Sequence, residues 1–198
     1  ADLKVVCVFY DTFVTVLYNG PRGTTPAVGP TIAAGDQAYV FNRAGISNVV
    51  VDAFTLQRQN LAGVRLSASS ADTVRNVTAT QAGANGILLE AGTSVVTVSG
   101  STVSGSASVG IRLAATTGST IASNTSRDNL FHGISLQGSS NNVVSGNTSS
   151  GNSHPTQRLA TGIYVSGVSP GVPVARNTTL TNQHAGIDIY HGARPPPP

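Results

Sequence analysis

A short motif in which glycine is followed by isoleucine or valine recurs along the chain at a nearly constant interval. Successive glycines are separated by 23, 24, 23, 29 and 24 residues. Each glycine opens a short apolar alternation such as Ile111-Arg112-Leu113. A period of this length with one alternating strand is typical of a solenoid, whose turns bury their apolar faces by stacking on each other. The glycines of this repeat are Gly63, Gly86, Gly110, Gly133, Gly162 and Gly186.

Each period contains a second apolar segment, a turn residue and then a third short strand. Residues 95–98 show the second segment and Thr102-Val103 the third strand. Asn and Gly tolerate the left-handed backbone that a sharp corner requires, and stacked Asn side chains can bond each other along the axis. We therefore predict a set of structural corner residues, namely Asn76, Gly100, Asn124, Asn147 and Asn177.

The pattern predicts an all-β fold, a single-stranded right-handed parallel β-helix. We expect about 23–24 residues per coil and roughly 7–8 coils, because a left-handed helix would show a hexapeptide period instead. Residues 1–36 are predicted to form irregular N-terminal strands or first coils, residues 37–192 the β-helix, and residues 193–198 a proline tail. The longer interval predicts a loop near residues 152–158, and insertions in a solenoid often mark its working face.

Two segments, HGISLQGSSNNVVSGNTSSGN at 132–152 and TGIYV at 161–165, carry a family resemblance. They resemble the generic parallel β-helix repeats of the pectate-lyase-like superfamily, which includes periplasmic copper-site accessory proteins and the mannuronan C5-epimerase group. The resemblance covers roughly residues 37–190. It implies the fold, and it implies that any carbohydrate chemistry takes place across the outer face of the Gly-Ile strands.

The charge and composition limit the classes of partner that the chain can bind. The net charge is +3, and the cations are spread one or two per repeat. We expect no nucleic-acid partner, because phosphate binding needs a dense basic stripe. No apolar run is long enough for a membrane span. The surface, rich in Ser, Thr and Asn and nearly free of Lys, favours a secreted or cell-surface protein.

Cofactor and metal signatures are absent from the sequence. The single Cys7 excludes an internal disulfide. The histidines at 132, 154, 184 and 191 show only one loose pair, between His184 and His191, so we predict no metal. No phosphate-binding loop or dinucleotide fingerprint occurs, so we predict no cofactor.

Alternation along each Gly-Ile strand predicts one outward side chain per turn. That stripe contains Arg65, Leu88, Arg112, Ser135, Tyr164 and Asp188. In a uronate lyase or epimerase, Arg112 would neutralise the carboxylate, and His132 or Tyr164 would move the C5 proton. The catalytic candidates are Arg112, His132, Tyr164, His184 and Asp188. The candidate carbohydrate-binding residues are Arg65, Arg112, Tyr164 and Tyr190.

Specific enzyme signatures are incomplete. Residues 131–135 resemble the Gly-His-Gly segment of polygalacturonases, but the other motifs of that family are missing. Inverting hydrolysis needs two carboxylates, and no two acids fall at matching positions of adjacent periods. The calcium-binding acidic cluster of pectate lyases and the Asp-Pro-His motif of the epimerases are also missing. Ice binding would need a regular Thr array, which the outward stripe lacks.

Asn-x-Ser/Thr sequons occur at Asn76, Asn124, Asn147 and Asn177. All four coincide with the predicted corner, so a structural origin is favoured over glycosylation.

The sequence is compatible with three functions. The leading hypothesis is an extracellular structural or adhesive β-helix subunit that assembles through its open ends, as a homo-oligomer or filament. The first alternative is a secreted polysaccharide lyase, epimerase or hydrolase that acts on uronate-type glycans. The second alternative is a non-catalytic carbohydrate-binding module with Tyr164 and Tyr190 as stacking platforms.

Overall fold

A computed structural model of the chain describes residues 38–167 and 169–190 with their side chains. It also describes the backbone of three earlier strands, Val6–Tyr10, Phe13–Leu17 and Thr31–Ala33. The proline tail at 193–198, His191, the Cys7 side chain and the rest of residues 1–36 lie outside this description. Within the described residues the secondary structure consists of strands and turns, and no helix is present that could cross a membrane.

The chain winds into three parallel sheets, and each turn contributes one strand to each sheet. The first sheet has seven strands and contains the Gly-Ile motif: Tyr39–Ala44, Ala62–Ser67, Asn85–Leu89, Ile111–Ala114, Ile134–Gln137, Ile163–Ser166 and Ile187–Tyr190. The second sheet has six strands: Val50–Asp52, Thr73–Arg75, Thr97–Ser99, Thr120–Ala122, Val143–Ser145 and Val174–Ala175. The third sheet has seven strands: Thr31–Ala33, Thr55–Gln57, Thr78–Thr80, Thr102–Ser104, Thr125–Arg127, Thr148–Ser150 and Thr178–Leu180.

This arrangement confirms the predicted right-handed parallel β-helix. The strands at Val6–Tyr10 and Phe13–Leu17 form a separate antiparallel pair. In the first sheet, Ile87 pairs with Ile111 and Ile134 pairs with Ile163, so the repeated isoleucines stack directly on one another. These side chains are fully buried. Burial of each such aliphatic side chain stabilises the fold by about 1.5–3 kcal/mol.

A left-handed residue turns the chain at every corner between the second and third sheets. The φ angles at this corner lie between 53° and 65°. The residues are Ala53, Asn76, Gly100, Ser123, Gly146 and Arg176. Asn76 and Gly100 therefore occupy the predicted left-handed position. Asn124, Asn147 and Asn177 each follow the left-handed residue by one position, so at these corners Ser123, Gly146 and Arg176 have the left-handed backbone and the asparagines stack along the axis.

Those three asparagines form a ladder inside the solenoid. The Nδ2 amide of Asn124 donates to Oδ1 of Asn147 at 3.0 Å and to the Val98 carbonyl at 2.9 Å. Asn147 donates in the same way to Oδ1 of Asn177 at 3.0 Å. Asn124 and Asn147 are each only 1% exposed. Because buried amides need partners, each asparagine fixes the turns on both sides of it.

The sequons follow from this ladder. In Asn147-Thr148-Ser149, the asparagine joins the ladder, the threonine points outward and the buried serine points inward. The Ser149 hydroxyl donates to the Gly162 carbonyl at 2.8 Å. The amides of Asn124 and Asn147 are thus inaccessible to a glycan in the folded protein. Only Asn76 among the four sequon asparagines has an exposed side chain, which donates to Asp52 Oδ1 at 2.9 Å.

The repeated glycines lie where the interior is too narrow for a side chain. A Cβ atom at Gly133 would overlap the Ser149 hydroxyl, and one at Gly110 would overlap the Ser126 hydroxyl. At Gly86 the overlap would be with a methyl group of Val103. The first and third sheets therefore approach each other closely at this point in each turn, and this approach explains the repeat.

The 29-residue interval forms a longer turn between Thr148–Ser150 and Ile163–Ser166. Asn152 belongs to a second internal ladder, in which its Nδ2 amide donates to Asn182 Oδ1 at 2.7 Å. The exposed part of the loop therefore begins at residue 153 and extends to residue 159.

We predict that Gly133→Ala destabilises the protein by about 3 kcal/mol, because the added methyl group overpacks the interior. Urea unfolding followed by circular dichroism measures this loss. The matched control is Gly138→Ala, where no atom lies within 4 Å of the added Cβ and φ is +56°. The control should lose only about 1 kcal/mol, the cost of a left-handed alanine. Equal losses in the two variants would contradict the narrow-interior explanation.

Candidate functional site

The outer face of the first sheet carries one side chain per turn in a single line. Strand pairing aligns Arg65 with Leu88, Leu88 with Arg112, and Arg112 with Ser135. It then aligns Ser135 with Tyr164 and Tyr164 with Asp188. The register places the stripe as the sequence predicted it, with neighbours about 4.8 Å apart.

Two members of the stripe are less accessible than alternation alone predicted. Leu88 is 7% exposed and Ser135 is 5% exposed. Leu88 lies in register between Arg65 and Arg112, and Ser135 lies between Arg112 and Tyr164. Leu88 and Ser135 are shorter than the residues on either side of them in register. They therefore lie below the surface that those longer neighbours form.

Arg65 is held at one end of the stripe by neighbouring groups. It forms an ion pair with Glu90, and its Nη1 group donates to Asn42 Oδ1 at 3.0 Å. Its guanidinium carbon lies 5.3 Å from the centre of the Tyr39 ring. These contacts leave Arg65 less available for a glycan than its position in the sequence suggested.

A cleft of about 220 Å³ opens beyond Leu88 on the same face. Ser135 forms part of its lining, together with Arg112 from the turn before and Tyr164 from the turn after. The Arg112 Nη2 group donates to Gln137 Oε1 at 3.1 Å, which holds the cation at the edge of the cleft. His132 and Phe131 precede the glycine of the middle turn and line the same cleft.

Aromatic contacts join this cleft to the long loop. The His132 ring stacks on Tyr164 with centroids 4.4 Å apart and an interplanar angle of 9°. Phe131 meets His132 edge-on at 4.5 Å and His154 edge-on at 5.8 Å. His154 lies in the loop, where its Nδ1 atom accepts hydrogen bonds from the backbone of Thr156 and Gln157. The loop is therefore in contact with the wall of the cleft.

His132 is a neutral side chain at physiological pH. Burial, reinforced by the charges of His184 and Arg112, lowers the pKa of His132 from 6.5 to about 4. Its Nδ1 atom accepts a hydrogen bond from the backbone N–H of Thr161 at 3.2 Å. The proton of the neutral ring must therefore be on Nε2. In this state His132 is a hydrogen-bond donor, and this disagrees with the expectation that it abstracts a proton.

The remaining candidates lie in the following turn and are not among the residues that line the cleft. The Nδ1 atom of the exposed His184 lies 3.5 Å from the Thr161 hydroxyl. Asp188 is next to Tyr164 in register. Tyr190 pairs with Ser166 and is 53% exposed. The structure thus brings Arg112, His132 and Tyr164 together, and it places Asp188 and Tyr190 one turn further along the axis.

The groups that line the cleft are of the kinds that suit a bound anion. Arg112 is a cation, neutral His132 donates a hydrogen bond, and the residues that line the cleft include no carboxylate. In the described part of the chain, no three His, Cys, Asp or Glu side chains cluster closely enough to hold a metal ion. The sequence missed Phe131 and Ser166 because they lie outside the alternating stripe.

We predict that an NMR titration of the folded protein finds the His132 ring titrating near pH 4. Because the folded pKa lies below the unfolded value, the unfolded state binds this proton more readily, and stability falls as the pH drops from about 6.5 to about 4. His132→Asn keeps an acceptor for the Thr161 N–H and should weaken this pH dependence in urea unfolding. An unchanged dependence, or a ring that titrates near 6.5, would contradict the assignment.

Comparison with known proteins gives the family context. The sequence model of a family described as "right handed beta helix region" matches residues 39–195. No curated protein sequence matches the chain.

Solved structures share the fold at low sequence identity. The enzymatically active domain of tailspike protein 2 from bacteriophage CBA120 is 16% identical with a TM-score of 0.65, over 89% of this chain and 29% of that one. A double mutant of a periplasmic alginate epimerase is 16% identical with a TM-score of 0.64, over 74% and 38%. The A-module of a mannuronan C-5 epimerase from Azotobacter vinelandii is 16% identical with a TM-score of 0.51, over 83% and 57%. The chain spans less than two thirds of each, and the likeness shows the fold alone.

Proposed function

The chain belongs to the right-handed β-helix family, and on this basis we propose that it is a secreted or cell-surface protein that binds an acidic, uronate-type polysaccharide. The binding surface is the outer face of the first sheet, centred on the cleft at Arg112, His132 and Tyr164. The observation that carries the proposal is the pairing of a cation with a neutral histidine donor in a cleft without a carboxylate.

Arg112 supplies the electrostatic part of this recognition. A guanidinium presents a planar fork of N–H groups that matches a carboxylate. One N–H of Arg112 is used by Gln137, and the bond holds the fork in place. The Nε2–H of His132 adds a donor that needs no proton uptake at neutral pH. The cleft is thus preorganised for a sugar carboxylate.

Tyr164 supplies an apolar surface beside the charge. One face of its ring is covered by His132, which fixes the ring orientation. Tyrosine combines such an apolar face with a hydroxyl that can bond a sugar. Tyr190 is exposed one turn further along the same face and offers a second ring to an extended polymer.

The structural neighbours support a glycan ligand without specifying it. Two of them are described as alginate or mannuronan epimerases, and a third as the enzymatically active domain of a tailspike. The chain covers only part of each of these proteins. The argument for binding therefore depends on the residues of this cleft. The neighbours add only that other proteins with this fold act on glycans.

We predict that Arg112→Ala lowers the affinity for an oligomer of mannuronate or galacturonate by roughly ten- to a hundred-fold, the range expected for a charged hydrogen bond. Isothermal titration calorimetry measures the change. The matched control is Arg176→Ala, which removes an exposed arginine from a corner of another sheet. A neutral oligosaccharide of the same length should bind weakly. Equal affinity of the wild type and Arg112→Ala would contradict the proposal.

Enzymatic action on the same polymer is the alternative use of this cleft. In a lyase the Tyr164 oxygen would take the C5 proton while Arg112 holds the carboxylate, and the C4–O glycosidic bond would break as the C4–C5 double bond forms. In an epimerase a proton would instead return to C5 from the opposite face. Tyr164→Phe separates the two functions, because a binding protein keeps most of its affinity when only the hydroxyl is lost. Unsaturated product that forms with the wild type and disappears in Tyr164→Phe would establish a lyase.

Assembly through the ends is a second candidate function. The last described turn exposes Ile187 and Ile189, by 44% and 48%, at positions that Ile163 and Val165 bury in the preceding turn. Such an edge strand with an apolar row is a surface on which a second β-helix can stack. This arrangement favours an adhesive subunit that self-associates along its axis.

We predict that self-association increases with concentration in sedimentation velocity and that Ile189→Arg abolishes it, because a charge cannot be buried unpaired in such an interface. Leu159→Arg is the control, since Leu159 is an exposed apolar residue in the long loop. A wild-type protein that stays monomeric at all concentrations would rule out assembly.

A further inference from the structure

A second cleft, of about 460 Å³, opens on the outer face of the third sheet. It spans four consecutive turns, because strand pairing aligns Gln57 with Thr80, Thr80 with Ser104, and Ser104 with Arg127. Four turns correspond to about 14 Å along the axis. This cleft lies on a different sheet from the one that contains Arg112.

Side-chain length creates this cleft. The corner position after each third-sheet strand is left-handed, and Gln81, Gly105 and Asp128 occupy it in successive turns with φ of 56°, 64° and 55°. A Cβ at Gly105 would meet only Gln81, at an ordinary 3.8 Å. Packing therefore does not require glycine there, in contrast to Gly133. The gap at Gly105 is open space between longer neighbours.

The walls of the gap carry two arginines. On one side, Arg58 Nε donates to Gln81 Oε1 at 3.3 Å. On the other side, Arg127 Nη1 is paired with Asp128 Oδ2 at 2.6 Å. Each contact uses one of the five N–H groups of a guanidinium, so both arginines keep donors for a ligand. Gln57 and Thr80 add an amide and a hydroxyl to the lining.

We propose that this cleft is a second binding site for a carboxylated oligosaccharide. The guanidinium forks of Arg58 and Arg127 match sugar carboxylates. Asp128 can accept hydrogen bonds from sugar hydroxyls, and its pairing with Arg127 lowers the net positive charge of the cleft, which disfavours phosphates more than a singly charged sugar carboxylate. The amides and hydroxyls between the arginines suit a ligand with many hydroxyl groups.

A continuous column of threonines runs beside this cleft. The column contains Thr55, Thr78, Thr102, Thr125, Thr148 and Thr178, aligned turn by turn. Sequence reasoning found no regular threonine array because it considered only the first sheet. The column extends a polar track beyond the cleft along the axis. The charged residues next to it favour an ionic polymer over ice as its ligand.

The experiment is a titration of isotope-labelled protein with trigalacturonate, observed through the side-chain N–H signals of arginine and glutamine. We expect the signals of Arg58 and Gln81 to shift on binding. The double variant Arg58→Ala/Arg127→Ala should weaken binding at this cleft by about tenfold or more. Gly105→Gln should also weaken binding at this cleft, because it fills the gap with a side chain of the same length as Gln81, which occupies the same corner one turn earlier. Arg176→Ala is again the control, and thermal unfolding verifies that each variant folds.

Outcomes at the two clefts are distinguishable. Calorimetry should count two sites in the wild type and one in either Arg112→Ala or Arg58→Ala/Arg127→Ala. Loss of all binding in Arg112→Ala, with no shift at Arg58, would overturn this inference and leave the first site intact. Loss of all binding in the double variant alone would instead refute the first site. Displacement of trigalacturonate from this cleft by an equal concentration of inorganic phosphate would overturn the assignment to a sugar.

Discussion

The narrow interior at each repeated glycine is the constraint on which the rest of the solenoid depends. Ser126 and Ser149 reach across the interior to bond the carbonyls of Gly133 and Gly162, at 2.7 and 2.8 Å. No side chain fits at Gly133, because its Cβ would occupy the space of the Ser149 hydroxyl. These two bonds tie the third sheet to the first, and at Gly63 and Gly86 the contact is with Leu56 and Val103 instead. Close contact at the repeated glycines thus fixes the point at which the turns close.

Because the first and third sheets meet at the same position in successive turns, the outward-facing side chains of those turns stay in register. Successive turns then align residue by residue, so that side chains separated by a whole turn become neighbours on the surface. Arg112 and Tyr164 are far apart in the chain, yet both line one cleft. The left-handed corners accept residues as different as Ser123, Gly146 and Arg176, because their side chains point away from the crowded interior. The outward-facing residues, which determine binding, can therefore differ from turn to turn while the packing of the interior is kept.

The sequence alone predicted the fold and the stripe, but not the details that depend on neighbouring turns. The Gly-Ile period defines the strands, and alternation defines which residues point outward. Asparagine suits both a left-handed corner and an internal ladder, so spacing alone could not separate Asn76 from Asn124. The neutral state of His132 depends on burial and on the Thr161 N–H, 29 residues away. The third-sheet cleft depends on side-chain lengths in four turns, which no local motif encodes.

The two clefts differ in the part of the solenoid from which they are built. The third-sheet cleft uses turns that contain Arg58 to Asp128, and the first-sheet cleft uses turns that contain Arg112 to Tyr164. They share the turn that contains Arg112 and Arg127, and they otherwise extend in opposite directions along the axis on different faces. In the proposed scheme, an oligosaccharide that fills one cleft leaves the other free, so short ligands would bind the two independently. A long polymer that follows the solenoid surface can contact both, and its second contact is then intramolecular, which raises the overall affinity without any new residue.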